Sequence, residues 1–184
     1  MRIVGGSFRG RKLASVGKGD ATAHLRPSSD RVRESLFSML LGGRFGNPIE
    51  GAKVLDLFAG TGALGLEALS RGAARATFVD DGRVAQKLLA QNIATLNMQE
   101  SCSIIRASAL RLPAADSVAD LVFLDPPYGK DLGGKALTFA QNQGWIGKNT
   151  LIIWEERGAQ DAPAGFELLE HKSYGDTVMT ILRA

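Results

Sequence analysis

Short apolar runs alternate with stretches of helical spacing through the middle of the chain. Residues 53–58 (KVLDLF), 76–80 (ATFVD), 102–106 (CSIIR), 119–124 (ADLVFL) and 150–154 (TLIIW) carry apolar side chains on both faces, which predicts strands of a buried parallel sheet. Ala63–Ser70 and residues 84–96 repeat their apolar positions at helical intervals and predict helices between the strands. This order predicts a doubly wound α/β fold, whose ligands bind beyond the carboxyl ends of the strands. After Trp154 the rhythm changes. Residues 166–171 and 177–182 lie about Tyr174-Gly175-Asp176, which predicts an antiparallel hairpin closing the sheet.

Ahead of this body, residues 3–13 hold a Gly5-Gly6 turn and a Gly10 kink and predict a small β-hairpin. Pro27, Ser28, Ser29 and Asp30 supply helix-start chemistry, and Val32, Leu36, Met39 and Leu40 follow at helical spacing. Charge separates this end from the rest. Residues 1–34 contain eight basic and three acidic groups, so they carry +5 of an overall +3 and leave the remaining 150 residues at −2. A basic arm on a nearly neutral body suits a polyanion, because each neutralised phosphate releases counterions. The expected division is a basic nucleic-acid-binding extension over 1–45 and a body over 46–184, with Arg9, Arg11, Lys12, Arg26, Arg31 and Arg33 placed to meet phosphates. The competing reading is a solvated segment, with Arg31 and Arg33 near enough to a helix start to pair with carboxylates.

The 184 residues are 45% apolar and 22% charged, as in a folded globular chain. No apolar run approaches the ~18 residues of a membrane span, and Met1-Arg2-Ile3-Val4-Gly5-Gly6 lacks a signal-peptide core, so a cytoplasmic location is expected. Cys102, His24 and His171 are too few for a zinc site of Cys and His ligands, and one cysteine forms no internal disulfide. No metal is expected.

The first strand runs into Ala59-Gly60-Thr61-Gly62-Ala63-Leu64-Gly65, a G-x-G-x-x-G stretch between strand and helix. Glycines at those points let the backbone turn tightly and approach a ligand, and Asp80, ending the next strand, lies where a carboxylate binds both ribose hydroxyls. The pattern predicts a nucleoside cofactor. Asp56 narrows the choice, since a carboxylate just ahead of the glycines repels a pyrophosphate and attracts an ammonium group. S-adenosylmethionine carries an ammonium, a ribose and a cationic sulfonium; the alternative is that Asp56 only caps the loop.

The fourth apolar run ends in Asp125-Pro126-Pro127-Tyr128. Two consecutive prolines fix φ and remove two N–H donors, leaving a rigid bend that offers carbonyl acceptors. The Asp125 carboxylate and the Pro126 carbonyl can take the two protons of an exocyclic amine and align its lone pair with the sulfonium methyl, while Tyr128 stacks on the base. The amine of a nucleobase is a poor nucleophile because it is conjugated with its ring, so acceptors that favour a tetrahedral nitrogen act in the transition state. Such a base must be single-stranded or flipped out.

With these residues in view, the chain resembles class I S-adenosylmethionine-dependent methyltransferases acting on exocyclic amines. Arg2-Ile3-Val4-Gly5-Gly6, Arg9-Gly10-Arg11-Lys12-Leu13, the run from Leu25 to Glu34 (LRPSSDRVRE) and Tyr174-Gly175-Asp176-Thr177 look more narrowly like the bacterial RsmD family of 16S rRNA guanine-N2 methyltransferases. The resemblance spans nearly the whole chain. It implies a Rossmann-like, mostly parallel seven-stranded sheet with a C-terminal antiparallel hairpin and an N-terminal RNA-binding extension. It further implies methylation of a guanine in the assembled or assembling small ribosomal subunit, by a monomer. On the family's pattern Asp56, Phe58, Gly60, Thr61, Gly62 and Asp80 hold the cofactor. Ser108 and Ala109 stand where many methyltransferases place an Asp near the adenine, and Gly82 replaces a frequent second acidic residue.

Glu155 and Glu156 follow the last parallel strand at its carboxyl end, where they could face the site, but are expected in a solvated loop; His24 could touch RNA but is expected in a mobile loop. Trp145 and Trp154 read as packing residues, and Cys102 as a small apolar one. A DNA adenine or cytosine methyltransferase shares the tetrapeptide, but 184 residues leave little room for a target-recognition region. A nicotinamide dehydrogenase gives the tetrapeptide no role, and a non-catalytic RNA-binding module needs neither Asp56 nor Asp125.

Overall fold

The parallel strands have apolar side chains on both faces, and the chain covers both. A computed structural model describes residues 1–15 and 29–184. Seven strands form one sheet in the order β3-β2-β1-β4-β5-β7-β6. The strands β1 (Lys53–Leu57), β2 (Arg75–Val79), β3 (Cys102–Ile105), β4 (Leu121–Leu124) and β5 (Leu151–Glu156) are parallel. β6 (Glu167–Tyr174) and β7 (Thr177–Arg183) form the antiparallel hairpin, with β7 paired to β5. Around them lie α1 (Asp30–Leu41), α2 (Ala63–Ser70), α3 (Arg83–Leu96) and α4 (Gly133–Asn142). This is the Rossmann-like, mostly parallel seven-stranded sheet with a C-terminal antiparallel hairpin that the sequence leads one to expect.

Strand alternation sorts the core into two layers. Val54, Phe123 and Ile153 pack with Phe37 of α1, Leu66 of α2 and Leu89 of α3, whereas Leu55, Val122 and Ile152 pack with Leu137 and Ala140 of α4. Each of the buried Val, Leu, Ile and Phe side chains among these stabilises the fold by about 1.5–3 kcal/mol. The loop after β1 therefore leaves toward one face and the loop after β4 toward the other, so the order reverses between these two strands. In open α/β sheets that reversal is where ligands bind.

Four features depart from the sequence reading. β1 stops at Leu57, because Phe58 takes a left-handed φ of 59°. β5 runs on through Glu155 and Glu156, which pair with Met179 and Val178 of β7 and are buried instead of lying in a solvated loop. α4 has no counterpart among the expected helices, and its start depends on Gly133, where a Cβ would lie 2.2 Å from the Trp154 ring. The expected hairpin over 3–13 forms but is short: its arms meet at one antiparallel bridge, Arg2 to Lys12, with Ile3 N donating to Arg11 O, Gly10 N to Ile3 O and Leu13 N to Met1 O, and a 3-10 turn at Gly6–Phe8 joins them.

The reason lies in the partners of the arm. Val4 and Gly5 donate their N–H groups to the two oxygens of Glu67 (2.8 and 2.7 Å), not to an opposing strand. Gly6 has φ 73°, and a Cβ there would stand 1.8 Å from the Ser70 carbonyl. Phe8 donates to Ser70 Oγ at 3.0 Å, while Asn92 accepts from Ala14 N and donates to the carbonyls of Ala14 and Thr61. Glu67, Ser70 and Asn92 are buried, and together they fix residues 1–15 across α2 and α3.

Ser29 caps α1, its Oγ accepting from Val32 N at 3.2 Å, as its position predicts. Arg33 departs from expectation. It is 1% exposed, donating to the Arg2 carbonyl and to Asp30, so it holds the arm to α1 and is turned away from any phosphate. Arg9, Arg11, Lys12 and Arg31 are exposed. Arg26 and His24 lie outside the described residues.

Candidate active site

The loop after β1 is built for close approach. Phe58, Gly60 and Gly62 all take positive φ, and Ala59 N donates to Val79 O at 3.0 Å, tying the loop to β2. Left-handed φ at a non-glycine residue is uncommon and clusters at ligand sites. A Cβ on Gly65 would lie 2.4 Å from the Phe78 ring, so only glycine lets α2 descend far enough for its Gly65 N–H to reach Asp56 Oδ2 at 2.9 Å. Asp56 thus caps α2.

Asp56 is 2% exposed, and burial pushes its carboxyl up to about 8 against the Gly65 hydrogen bond, with the Asp80 charge adding to the rise. A cation beside it would lower this value. Asp80 accepts from Gly60 N and from Gly82 N, both at 2.8 Å, and burial still outweighs these two bonds and raises its pKa. Gly82 has its own explanation here, since a Cβ would lie 3.0 Å from Asp80 Oδ1. Ionised carboxylates offer about four acceptor positions, so Asp80 retains capacity for hydroxyl donors. Ser108 Oγ accepts from Leu110 N at 3.3 Å and Ala109 is buried in the core, which places this pair in the turn after β3.

Asp125 follows β4, its N–H donating to Leu57 O at 3.4 Å. Pairing of Leu124 with Leu57 on one side and Trp154 on the other makes Asp125 and Glu155 the next residues in register. Alternation then puts Asp56, Asp125 and Glu155 on the face that carries Phe123 and Ile153. Burial first, and then the charges of Glu155, Asp56 and Glu156, hold the Asp125 carboxyl well above the ordinary carboxylate range.

Pro126 is buried and Pro127 exposed. Tyr128 donates to Glu155 Oε1 at 3.4 Å, and the Arg157 guanidinium stands 5.5 Å from the centre of its ring. Burial pushes the Tyr128 phenol up to about 12 in spite of a hydrogen bond with Thr177. Beside it a cavity of about 480 Å³ is lined by Tyr128, Gly133, Trp154, Glu156 and Arg157. The signal for Glu155 and Glu156 in the sequence was the continuity of LIIW with EE at the carboxyl end of a strand. Among the described residues no group of His, Cys, Asp and Glu could hold a metal ion.

Two acidic strand ends thus flank a glycine loop on one side of the sheet reversal, and a rigid acceptor bend stands on the other. The geometry suits a cationic nucleoside facing a hydrogen-bond donor. The family model described as Conserved hypothetical protein 95 matches residues 1–183. Ribosomal RNA small subunit methyltransferase D of Escherichia coli (strain K12) is 37% identical over 179 residues, covering 95% of this chain and 85% of that protein. The protein of the same name from Haemophilus influenzae is 35% identical over 181 residues, covering 95% and 89%. Among solved structures, yhhF of Escherichia coli superposes with a TM-score of 0.82 at 36% identity, over 100% of this chain and 97% of that one. A hypothetical protein of Thermus thermophilus gives a TM-score of 0.77 at 26% identity, over 100% and 99%. On the match over nearly its whole length and on these relatives, the chain belongs to the RsmD family of methyltransferases.

Proposed function

We propose that the chain transfers a methyl group from S-adenosylmethionine to the exocyclic N2 amine of a guanine in 16S rRNA, acting on the small ribosomal subunit as a cytoplasmic monomer. The observation that carries this reading is the meeting of Asp56, Asp80 and the glycine loop with Asp125-Pro126-Pro127-Tyr128 at the β1/β4 reversal. The relatives named for ribosomal RNA small subunit methylation supply the substrate class.

The residues fit the cofactor. Asp56 is a buried carboxyl group whose raised pKa a bound ammonium would relieve, and Asp80, held by the Gly60 and Gly82 N–H groups, would accept from the ribose hydroxyls. Phe58, Gly60, Thr61 and Gly62 form the wall of the loop, and Ser108-Ala109 takes the adenine side. S-adenosylmethionine supplies an electrophilic methyl on a sulfonium. Asp125 and the Pro126 carbonyl accept the two N2 protons, Pro127 keeps the bend rigid, and Tyr128 stacks on the flipped base. The ionised Asp125 carboxylate would take the proton that N2 sheds on methylation, a task its raised basicity suits. The basic stretch over 1–45 holds the RNA through Arg9, Arg11, Lys12, Arg26 and Arg31, and the body over 46–184 does the chemistry.

Transfer of a radiolabelled methyl group to small subunits from cells lacking the enzyme tests this directly. Asp125→Ala should bind S-adenosylmethionine nearly as the parent does and lower single-turnover transfer by at least ~100-fold. Near-normal transfer by that variant would exclude the mechanism.

A further inference from the structure

Glu155 is 4% exposed, next in register to Asp125, on the same sheet face, and in contact with the Tyr128 hydroxyl. Same-face neighbours on adjacent parallel strands stand about 4.8 Å apart, within reach of neighbouring atoms of one base. Glu156, the next residue, points to the opposite face, toward the cavity with Trp154. Resting on the proposed guanine-N2 reading of the site, we infer that Glu155 selects the base: its carboxylate accepts the guanine N1–H while Asp125 and Pro126 hold the adjacent N2 amine.

The chemistry of the three amine-bearing bases gives the selectivity. Beside its exocyclic amine guanine presents a ring N–H, whereas adenine and cytosine present a ring nitrogen lone pair. An ionised carboxylate gains a hydrogen bond from the first and meets a second acceptor, lone pair against lone pair, in the other two. Sites built to bond a substrate N–H reject analogues lacking it more strongly than apolar pockets reject a missing methylene. The Tyr128 hydroxyl donates to Glu155 Oε1 at 3.4 Å, so the residue proposed to stack on the base also orients this carboxylate.

The test uses small subunits reconstituted with 16S rRNA carrying either guanine or 2-aminopurine at the methylated nucleotide. 2-Aminopurine keeps the C2 amine but has a lone pair at N1. The parent protein should methylate guanine subunits at least ~100-fold faster in single turnover. Glu155→Gln should lose ~10-fold or more on guanine and narrow the preference to ~10-fold or less, because an amide N–H can donate to the N1 of 2-aminopurine. The ratio cancels any loss of folded enzyme, and Glu156→Gln should leave it at the parent value. A parent protein that methylates both subunits within ~3-fold of each other would overturn the assignment without recourse to a variant. So would an unchanged ratio in active Glu155→Gln. No transfer to guanine subunits by the parent would instead remove the underlying reading, and the role of Glu155 with it.

Discussion

The residue that best joins fold and function is Asp56, a carboxylate kept inside the protein where its ionised form is disfavoured. Its folded pKa of about 8 lies above the ordinary value of 3.8, so the contribution it makes to stability is fully present below about pH 4 and is lost as pH rises through about 8. Asp56→Asn keeps an oxygen to accept from Gly65 N and removes the titration. The variant should melt higher than the parent at pH 8, by more than ~2 °C, while binding S-adenosylmethionine at least ~10-fold more weakly. Calorimetry at pH 6.5 in buffers of different ionisation enthalpy gives the second reading. The parent should release protons on binding the cofactor, and Asp56→Asn should release fewer; equal release by both would take Asp56 out of the ammonium contact. Asp125 behaves in the same direction in the reaction. Because it must be ionised to accept a proton, single-turnover transfer should still be climbing at pH values beyond the usual carboxylate range.

At the scale of elements, two close approaches hold the site in place. A methyl group on Gly65 would lie 2.4 Å from the fully buried Phe78 ring and 3.1 Å from Asp56 Oδ2. Gly65→Ala should therefore destabilise the protein by about 1–3 kcal/mol and weaken cofactor binding with it, since α2 must lift away from Asp56. A melting temperature within ~1 °C of the parent would show that α2 has room to spare. Asn92 makes the other connection, from the arm at Ala14 to the glycine loop at Thr61. Asn92→Ala should cost about 1–3 kcal/mol and speed proteolysis of the arm; unchanged digestion would mean that the arm is held elsewhere. The sequence made the strands legible because their apolar runs leave no other placement. It hid the docking of the arm, whose partners Glu67 and Asn92 are polar residues within helical repeats, 62 and 78 positions from Gly5 and Ala14. It also hid Glu155, because a pair of acidic residues after an apolar run reads as solvated until β7 is seen to cover it. The glycine loop and the tetrapeptide were readable since each couples local backbone demands to its chemistry.

For the whole molecule, charge and chemistry lie on one side. The arm and α1 pack on the sheet face that carries Asp56, Asp125 and Glu155, so on the proposed reading RNA held by Arg9, Arg11, Lys12 and Arg31 would approach the acceptor row from that face. Replacing exposed Arg9, Arg11 and Lys12 with Ala should flatten the slope of log K against log salt by roughly 0.7–0.9 for each lost phosphate contact, with cofactor affinity and melting temperature unchanged. An unchanged slope would leave these residues as a solvated surface. Arg33→Ala should behave differently and lower the melting temperature, since its guanidinium is buried against Asp30 and Arg2. The central claim concerns the product, and mass-spectrometric mapping of base methylation in 16S rRNA from cells deleted for the gene measures it most directly. One N2-methylguanosine should be missing, restored by the parent protein and absent with Asp125→Ala; a methylation map identical to that of undeleted cells would contradict the account.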